Sequence, residues 1–228
     1  MKTKKVFQVP HQKPTARGEI RERILLAARE EFLRLGFSGV TTDRIAASLG
    51  ISKATLYRFF ASKEQLCREV LLGLLQEVEA GVDALIKNPK LEFAEKLAGI
   101  LSFMGLELAK MSGLFSLDLQ RNAPRIWKEV EAFRQENILS KLKLILSQGL
   151  KSGDFRNDMD QDFLILLYVT VIQEIMNPAI LVKFSLSFPE AFRMIVSLMI
   201  EGILTEKGRA RYHTASRRPS EKGLRRSK

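Results

Sequence analysis

Cysteine and histidine are almost missing from this 228-residue chain. Cys67 is the single cysteine, so no internal disulfide framework forms and a disulfide-stapled secreted fold is excluded. His11 and His213 are the only histidines, one near each end. Zinc sites built on His and Cys, Ser-His-Asp triads and Cys-His dyads therefore lack their parts. No G-x-x-x-x-G-K-[ST] or G-x-G-x-x-G run occurs. An enzyme would have to work with carboxylates, lysine or tyrosine alone, so the expectation is a non-enzyme without metal or cofactor. Long apolar runs are lacking too. The longest, from Phe163 to Ile172 with Tyr168 and Thr170 inside it, is about half of what a membrane-spanning helix needs. No apolar h-region follows Lys5, so the basic N-terminus does not read as a secretory signal. These absences point to a soluble, cytoplasmic protein with no membrane partner.

What is present begins with charge. The formal net charge is +11, and it is unevenly spread. Residues 1–23 carry +5, residues 206–228 carry +7, and the stretch between carries −1. Residues 1–17 have no apolar period and read as a flexible basic arm. Residues 207–228 read likewise as a flexible basic tail, and both ends are expected to add non-specific affinity for an acidic polymer. A hydrophobic content of 46% is ordinary for a globular protein, and the length suits one large domain or two small ones.

Between the ends the apolar spacing is helical throughout, and the class is all-α. Ile20, Ile24, Ala27, Ala28, Phe32 and Leu35 predict an amphipathic helix over 19–35, closed by Gly36 as a left-handed cap. Thr41-Thr42-Asp43 supplies a helix start with an acidic first turn. A short helix then runs to Leu49. Ser52 caps another, Lys53 to Phe60. Ser62 with Gln65 reads as a capping box opening a long helix. Further helices are expected near 91–110, 113–120, 124–151, 159–182 and 188–205. Pro178 is expected to kink or split the fourth of these near Asn177. Asp158 with Gln161, and Ser187 with Glu190, are further capping-box candidates.

The segment Thr41 to Phe60, TTDRIAASLGISKATLYRFF, has the plan of a helix-turn-helix, whose second helix enters the DNA major groove. Ala46 is small where the two helices cross, and Gly50 permits a positive φ in the tight link. Ile51 and Leu56 are placed to pack onto Ile45 and Phe32. Ser52 leaves backbone N–H groups at a helix start, which suits a phosphate. Lys53, Thr55, Tyr57 and Arg58 lie on the outward face, where they can reach phosphates or base edges.

From Arg21 to Leu75 the sequence resembles the DNA-binding domain of TetR-type transcriptional regulators. The resemblance is carried by Ile24, Ala27-Ala28, Phe32, Gly36-Phe37, Thr41-Thr42, Ile45-Ala46, Gly50-Ile51-Ser52-Lys53, Thr55-Leu56-Tyr57, Phe60, Ser62-Lys63-Glu64 and Leu66. It implies a DNA-binding set of Thr42, Arg44, Ser52, Lys53, Ala54, Thr55, Tyr57, Arg58, Phe59 and Lys63. In that set Thr42 holds a phosphate at the start of the second helix. Lys53, Thr55 and Arg58 face the groove, Tyr57 lies along a phosphate, and Lys63 meets another. Two positions depart from the pattern. Ala54 stands where glycine is common, and Phe59 stands where Tyr or His is common, which removes one phosphate hydrogen bond. The resemblance implies no cofactor.

A reading unit of about sixty residues does not need the rest of the chain. The division expected is an arm (1–17), a helix-turn-helix domain (18–78, motif 41–60), a ligand-binding and dimerisation domain (79–206) and the tail. Resemblance implies a homodimer on a palindromic double-stranded DNA operator, most often a repressor released by a small ligand. Phe163, Leu167, Val171, Ile175, Phe192, Ile195, Met199 and Ile203 hold more apolar surface than one face per helix requires. Either a four-helix interface between two copies or a thick internal core would use it. Phe103, Met104, Leu108, Met111, Phe115, Trp127, Phe133, Asn137, Tyr168 and Gln173 are candidates for a pocket accepting a small hydrophobic ligand; plain core packing is the alternative use of the same residues. A second reading keeps the DNA contact but gives the C-terminal domain dimerisation or partner recruitment without a ligand.

Overall fold

The computed structural model describes residues 16–217. Among them are α1 (Ala16–Gly39), α2 (Thr42–Ser48), α3 (Lys53–Tyr57), α4 (Lys63–Ile86), α5 (Phe93–Ala109), α6 (Gly113–Asn122), α7 (Pro124–Ser152), α8 (Gln161–Ile175), α9 (Pro178–Lys183), α10 (Phe188–Ile203) and α11 (Glu206–Arg217). The described residues form no strand beyond an isolated bridge between Phe155 and Leu204. The class is all-α. No single helix among the described residues is long and apolar enough to cross a membrane.

Short-range signals act where the sequence placed them. Thr41 Oγ1 accepts from Arg44 N, Ser52 Oγ from Thr55 N at 3.0 Å, and Ser62 Oγ from Gln65 N at 3.1 Å. Gln65 Oε1 reaches back one residue further than a capping box requires, accepting from Ala61 N at 2.8 Å. Ser187 and Glu190 form the expected reciprocal box. Asp158 does not cap α8. It pairs with Arg156, and Asp160 takes the cap instead, its Oδ1 accepting from Phe163 N at 2.7 Å. The helix expected over 159–182 is split near Asn177, as expected: Pro178 starts α9 and Asn177 caps it.

The largest correction concerns the tail. Residues 207–217, expected to be flexible, belong to α11. Its anchor is backbone and small residues, which leave no apolar period in the sequence. Thr205 N donates to Asp154 O at 2.9 Å, and Thr205 Oγ1 accepts from Gly208 N at 3.0 Å. A Cβ at Gly208 would stand 2.1 Å from the Asp154 carbonyl oxygen, so only glycine permits the approach. Tyr212 then packs on the cluster around Leu146, Phe155, Tyr168 and Ile203. Ala16 and Arg17, expected in the arm, already belong to α1. Residues 1–15 and 218–228 lie outside the described residues.

α4 and α7 form the long axis. Arg68 pairs with Glu129, and Lys141 pairs with Asp83 and, at 3.4 Å, with Glu79. Both links join residues about sixty apart in sequence, so the two helices run side by side in the same direction. At about 1.5 Å per residue they extend roughly 36 and 44 Å. Their first turns lie in one buried cluster with α1, α2, α3 and α6. Their last turns reach the clusters formed with α5, α8, α10 and α11.

The first cluster does not respect a boundary at residue 78, which falls inside α4. Phe32, Phe37, Ile45, Leu56, Phe60 and Val70 share it with Phe115 and Leu119 of α6 and Ile126 and Val130 of α7. A polar latch fastens the same place. Asp118 of α6 accepts from Ser38 N at 2.8 Å, Ser38 Oγ at 2.5 Å and Asn122 Nδ2 at 2.7 Å. Gly36, at φ +79°, makes the turn that brings Ser38 there, and a Cβ on it would stand 2.8 Å from Asp118 Oδ2.

Partial burial alone would push the Asp118 carboxyl up. The hydroxyl and amide of Ser38, then Asn122, outweigh it and hold the group below the ordinary carboxylate value. A folded-state pKa below the unfolded one gives stability that is full above the unfolded value, about 3.9, and is lost as pH falls through the folded one. Asp118→Ala is expected to destabilise by about 1–3 kcal/mol at pH 7. Denaturant melts of both proteins should show this gap, and the gap should narrow below about pH 4.

Candidate nucleic-acid interface

α2 and α3 are too short to persist alone. α2 is held by Ile45 and Ala46, and α3 by Leu56, all buried beneath Phe32. Between them Gly50 adopts φ +65°, and Ile51 N donates to Ala46 O at 3.0 Å, closing the link. The expected crossing at Ala46 and the packing of Leu56 are therefore in place.

This arrangement brings most of the ten expected DNA-binding residues to one surface. Ser52, Lys53, Ala54, Tyr57 and Arg58 are exposed, and Thr55 and Phe59 are half-buried. Ser52 Oγ and Thr55 Oγ1 lie 2.9 Å apart, so the cap also orients the threonine. Lys53 Nζ pairs with Asp43 at 2.8 Å, and this pairing raises the ammonium pKa. The pair is exposed and screened by solvent, so a phosphate can displace the carboxylate at little cost. Arg44 is exposed and pairs with Glu31 of α1 at 2.6 Å.

Two of the ten are engaged differently. Thr42 is buried, with its hydroxyl 3.2 Å from Tyr57 OH, so it positions the tyrosine instead of facing outward. Lys63 donates to Val40 O at 2.8 Å and lies 4.3 Å from the Phe37 ring centroid. Both contacts tie the α1–α2 turn to the start of α4. Sequence reading missed Arg17, whose guanidinium lies 5.8 Å from the Phe59 ring centroid at the edge of α3. Cys67 is buried, and burial pushes its thiol up to about 12, which leaves it inert.

The ten pocket candidates are not brought together. Phe103 and Met104 pack with Val82 and Ile100, and Leu108 with Met176 and Phe188. Phe115 and Trp127 join the reading cluster, and Tyr168 the far one, donating to Met199 O at 2.6 Å. Met111 is exposed. Phe133, Asn137 and Gln173 are half-buried on α7 and α8, with Asn137 Nδ2 donating to Phe133 O at 3.0 Å. Their helical spacing distributes them among separate layers. Clefts of about 270 and 240 Å³ lie elsewhere, beside α3 and between α10 and α11.

The expected dimer residues divide in two. Ile195 and Ile203 are buried in the chain's own core, and Val171, Phe192 and Met199 pack against it. Phe163, Leu167 and Ile175 of α8 face outward, with Phe163 57% exposed. Beside them are residues the sequence reading did not select: Leu166 at 64%, Met194, and Leu198 of α10 at 79%. Both helices are apolar on more than one side, so spacing alone does not tell the inner stripe from the outer one.

Residues 24–70 match the family described as bacterial regulatory proteins, tetR family. The HTH-type transcriptional regulator YhgD of Bacillus subtilis is 34% identical over 133 residues, 57% of this chain and 69% of that protein. YvaF of the same organism, also named an HTH-type transcriptional regulator, is 28% identical over 188 residues, 82% of this chain and 96% of that protein. The crystal structure of a TetR-family regulator from Agrobacterium tumefaciens superposes with a TM-score of 0.62 at 20% identity, covering 83% of this chain and 100% of that one. The chain belongs to the TetR family of bacterial transcriptional regulators.

Proposed function

We propose that this regulator binds a palindromic DNA operator as a homodimer, represses transcription there, and is released by a small hydrophobic ligand. The observation that carries the reading is the exposed row Lys53, Ala54, Tyr57 and Arg58 on a helix whose underside is locked by Leu56 and Phe32. A groove-reading element needs outward donors on a rigid support. Repression is the mode that needs least else, since an occupied operator excludes whatever must bind the same DNA.

The homodimer reading draws on the outward stripe of α8 and α10. Phe163, Leu166, Leu167, Met194 and Leu198 are large apolar side chains on adjoining helices, and a second copy would bury them. Dimerisation sets the spacing of two α3 helices, which the separation of operator half-sites must match.

Control by ligand is supported by the union of reader and sensor. Asp118 and Ser38 join α6 to the end of α1, and Phe115, Leu119, Ile126 and Val130 belong to the cluster that also holds Leu56 of α3. A ligand that favours one arrangement of α5 to α8 would alter the support of the reading helix. Residues 79–206 are the proposed ligand-binding and dimerisation part, and residues 18–78 the DNA-reading part.

Three measurements test this. Lys53→Ala and Tyr57→Phe should each weaken binding to the promoter of the protein's own gene by about 5- to 100-fold in a gel shift. Unchanged affinity for both would remove α3 as the reading helix. Leu198→Glu, combined with Leu166→Glu, should leave a helical protein that sediments as a monomer; an unaltered dimer would place the interface elsewhere. Native mass spectrometry of the dimer after expression in a bacterial host should show an added small apolar molecule. Its absence, together with unchanged operator binding across lipid-like ligands, would favour a C-terminal domain that serves assembly alone.

A further inference from the structure

Most of the lysine and arginine side chains between the start of α1 and the end of α4 already have a partner. Arg21 meets Glu69, Arg29 meets Glu77, Arg34 and Arg44 share Glu31, Lys53 meets Asp43 and Arg68 meets Glu129. Lys63 donates to Val40 O. The side chains of Arg17, Arg23 and Arg58 meet no carboxylate or carbonyl among the described residues.

Two of these three line one cleft. Arg17, with Ala16 and Ile20, forms the α1 side of the 270 Å³ cleft, and Arg58, with Thr55 and Phe59, forms the other. No acidic side chain lines it. Both arginines are exposed. Two like charges across a cleft repel each other, and an anion between them turns that repulsion into attraction.

Arg17 is held in place by Phe59. Its guanidinium carbon lies 5.8 Å from the ring centroid, within the range of a cation–π contact. A guanidinium set over a ring uses its face, and its N–H donors point out along its edges. Arg21, one turn on, lies over the Phe60 ring at 5.3 Å, but Glu69 takes its edge. The edge of Arg17 meets no such acid. Phe59 carries no donor of its own; it supplies the plate, and Arg17 supplies the hydrogen bonds.

The DNA backbone has the chemistry that fits. Arg58 directly follows α3, and Thr55 on the same wall is expected to face the groove, so the cleft borders the strand that frames that groove. A phosphodiester there offers one negative charge and two free oxygens, which an arginine edge matches with paired N–H donors.

We propose that Arg17 and Arg58 clasp a single backbone phosphate of the bound DNA across this cleft, with Phe59 as the plate that positions Arg17. This rests on α3 being the reading helix. The contact carries no sequence information. It fixes the register of α3 in the groove and adds affinity that falls with salt.

The test uses the full chain, Arg17→Gln, Arg58→Gln, their double variant and Phe59→Leu, with Arg23→Gln and Lys53→Ala as references. The probe is a labelled duplex from the promoter of the protein's own gene, followed by anisotropy from 50 to 200 mM NaCl. Arg17→Gln should bind about 3- to 10-fold more weakly at 100 mM, and its plot of log K against log salt should be shallower by about 1 per protomer. Arg58→Gln should lose at least as much. The double variant should lose less than the product of the two single losses, because both side chains serve one phosphate. Phe59→Leu keeps every charge yet should bind more weakly, and adding Arg17→Gln to it should cost little more. Arg23→Gln should bind like the full chain, and every arginine variant should melt with it.

A double variant that loses the full product would overturn the shared phosphate, and full affinity in Phe59→Leu would overturn the seating of Arg17. An equal loss from Arg23→Gln would reduce Arg17 to general charge. If Lys53→Ala weakens binding while Arg17→Gln leaves affinity and slope unchanged, the clasp falls and the reading helix stands. If neither variant changes binding, the reading helix falls with it.

Discussion

Phe32 is fully buried, and the position of α3 depends on the cluster that Phe32 shares with Leu56. α3 has five residues, too few to hold a helix by its own hydrogen bonds. Its register comes from Leu56 pressed against Phe32 and Ile45, with Phe60 closing the side. Each such buried side chain contributes about 1.5–3 kcal/mol. The same cluster takes in Phe115 and Leu119 from α6 and Ile126 and Val130 from α7. α1 to α3 therefore share their core with the helices beyond them.

The polar contacts around that core differ in what they can do. Exposed pairs such as Lys53–Asp43 and Arg29–Glu77 contribute little to stability. Their use is orientation. Lys63 and Thr42 are different. The ammonium of one is tied to Val40 O and the Phe37 ring, and the hydroxyl of the other meets Tyr57. Both help fix the frame from which the outward residues project. An expected binding residue can thus serve recognition by holding its neighbour.

What the sequence made legible is what local physics determines. The caps at Thr41, Ser52 and Ser62 act within three residues, and the period of Ile24, Ala28 and Phe32 fixes a buried face by itself. Other features depended on distant partners. Ser38 and Asp118 are eighty residues apart, and nothing near either announces the other. α11 carries no such signal, because its seat is a glycine against a carbonyl, not an apolar stripe. In α8 and α10 the apolar residues were recognised, but which of them face inward depended on α5 and α7, so Ile195 and Leu198 could not be told apart. The pocket candidates show the same limit, since large apolar residues at helical spacing fill a core as readily as they line a cavity.

Length then sets what a switch in such a molecule must accomplish. α4 and α7 run in parallel from α5 and α8 toward α3, stapled at Lys141 and again at Arg68. Two helices joined at both ends resist bending more than one, so a small rearrangement at the far end would be carried to the near end as a rotation. Over a lever of about 36 Å, a rotation of about 5° displaces the reading end by roughly 3 Å. In a dimer the two displacements add or cancel according to the symmetry of the interface. When they add, about 6 Å is enough to spoil the match to two half-sites whose spacing the DNA helix fixes. No large motion of α3 relative to its own core is required, which agrees with how firmly Leu56 and Phe32 hold it.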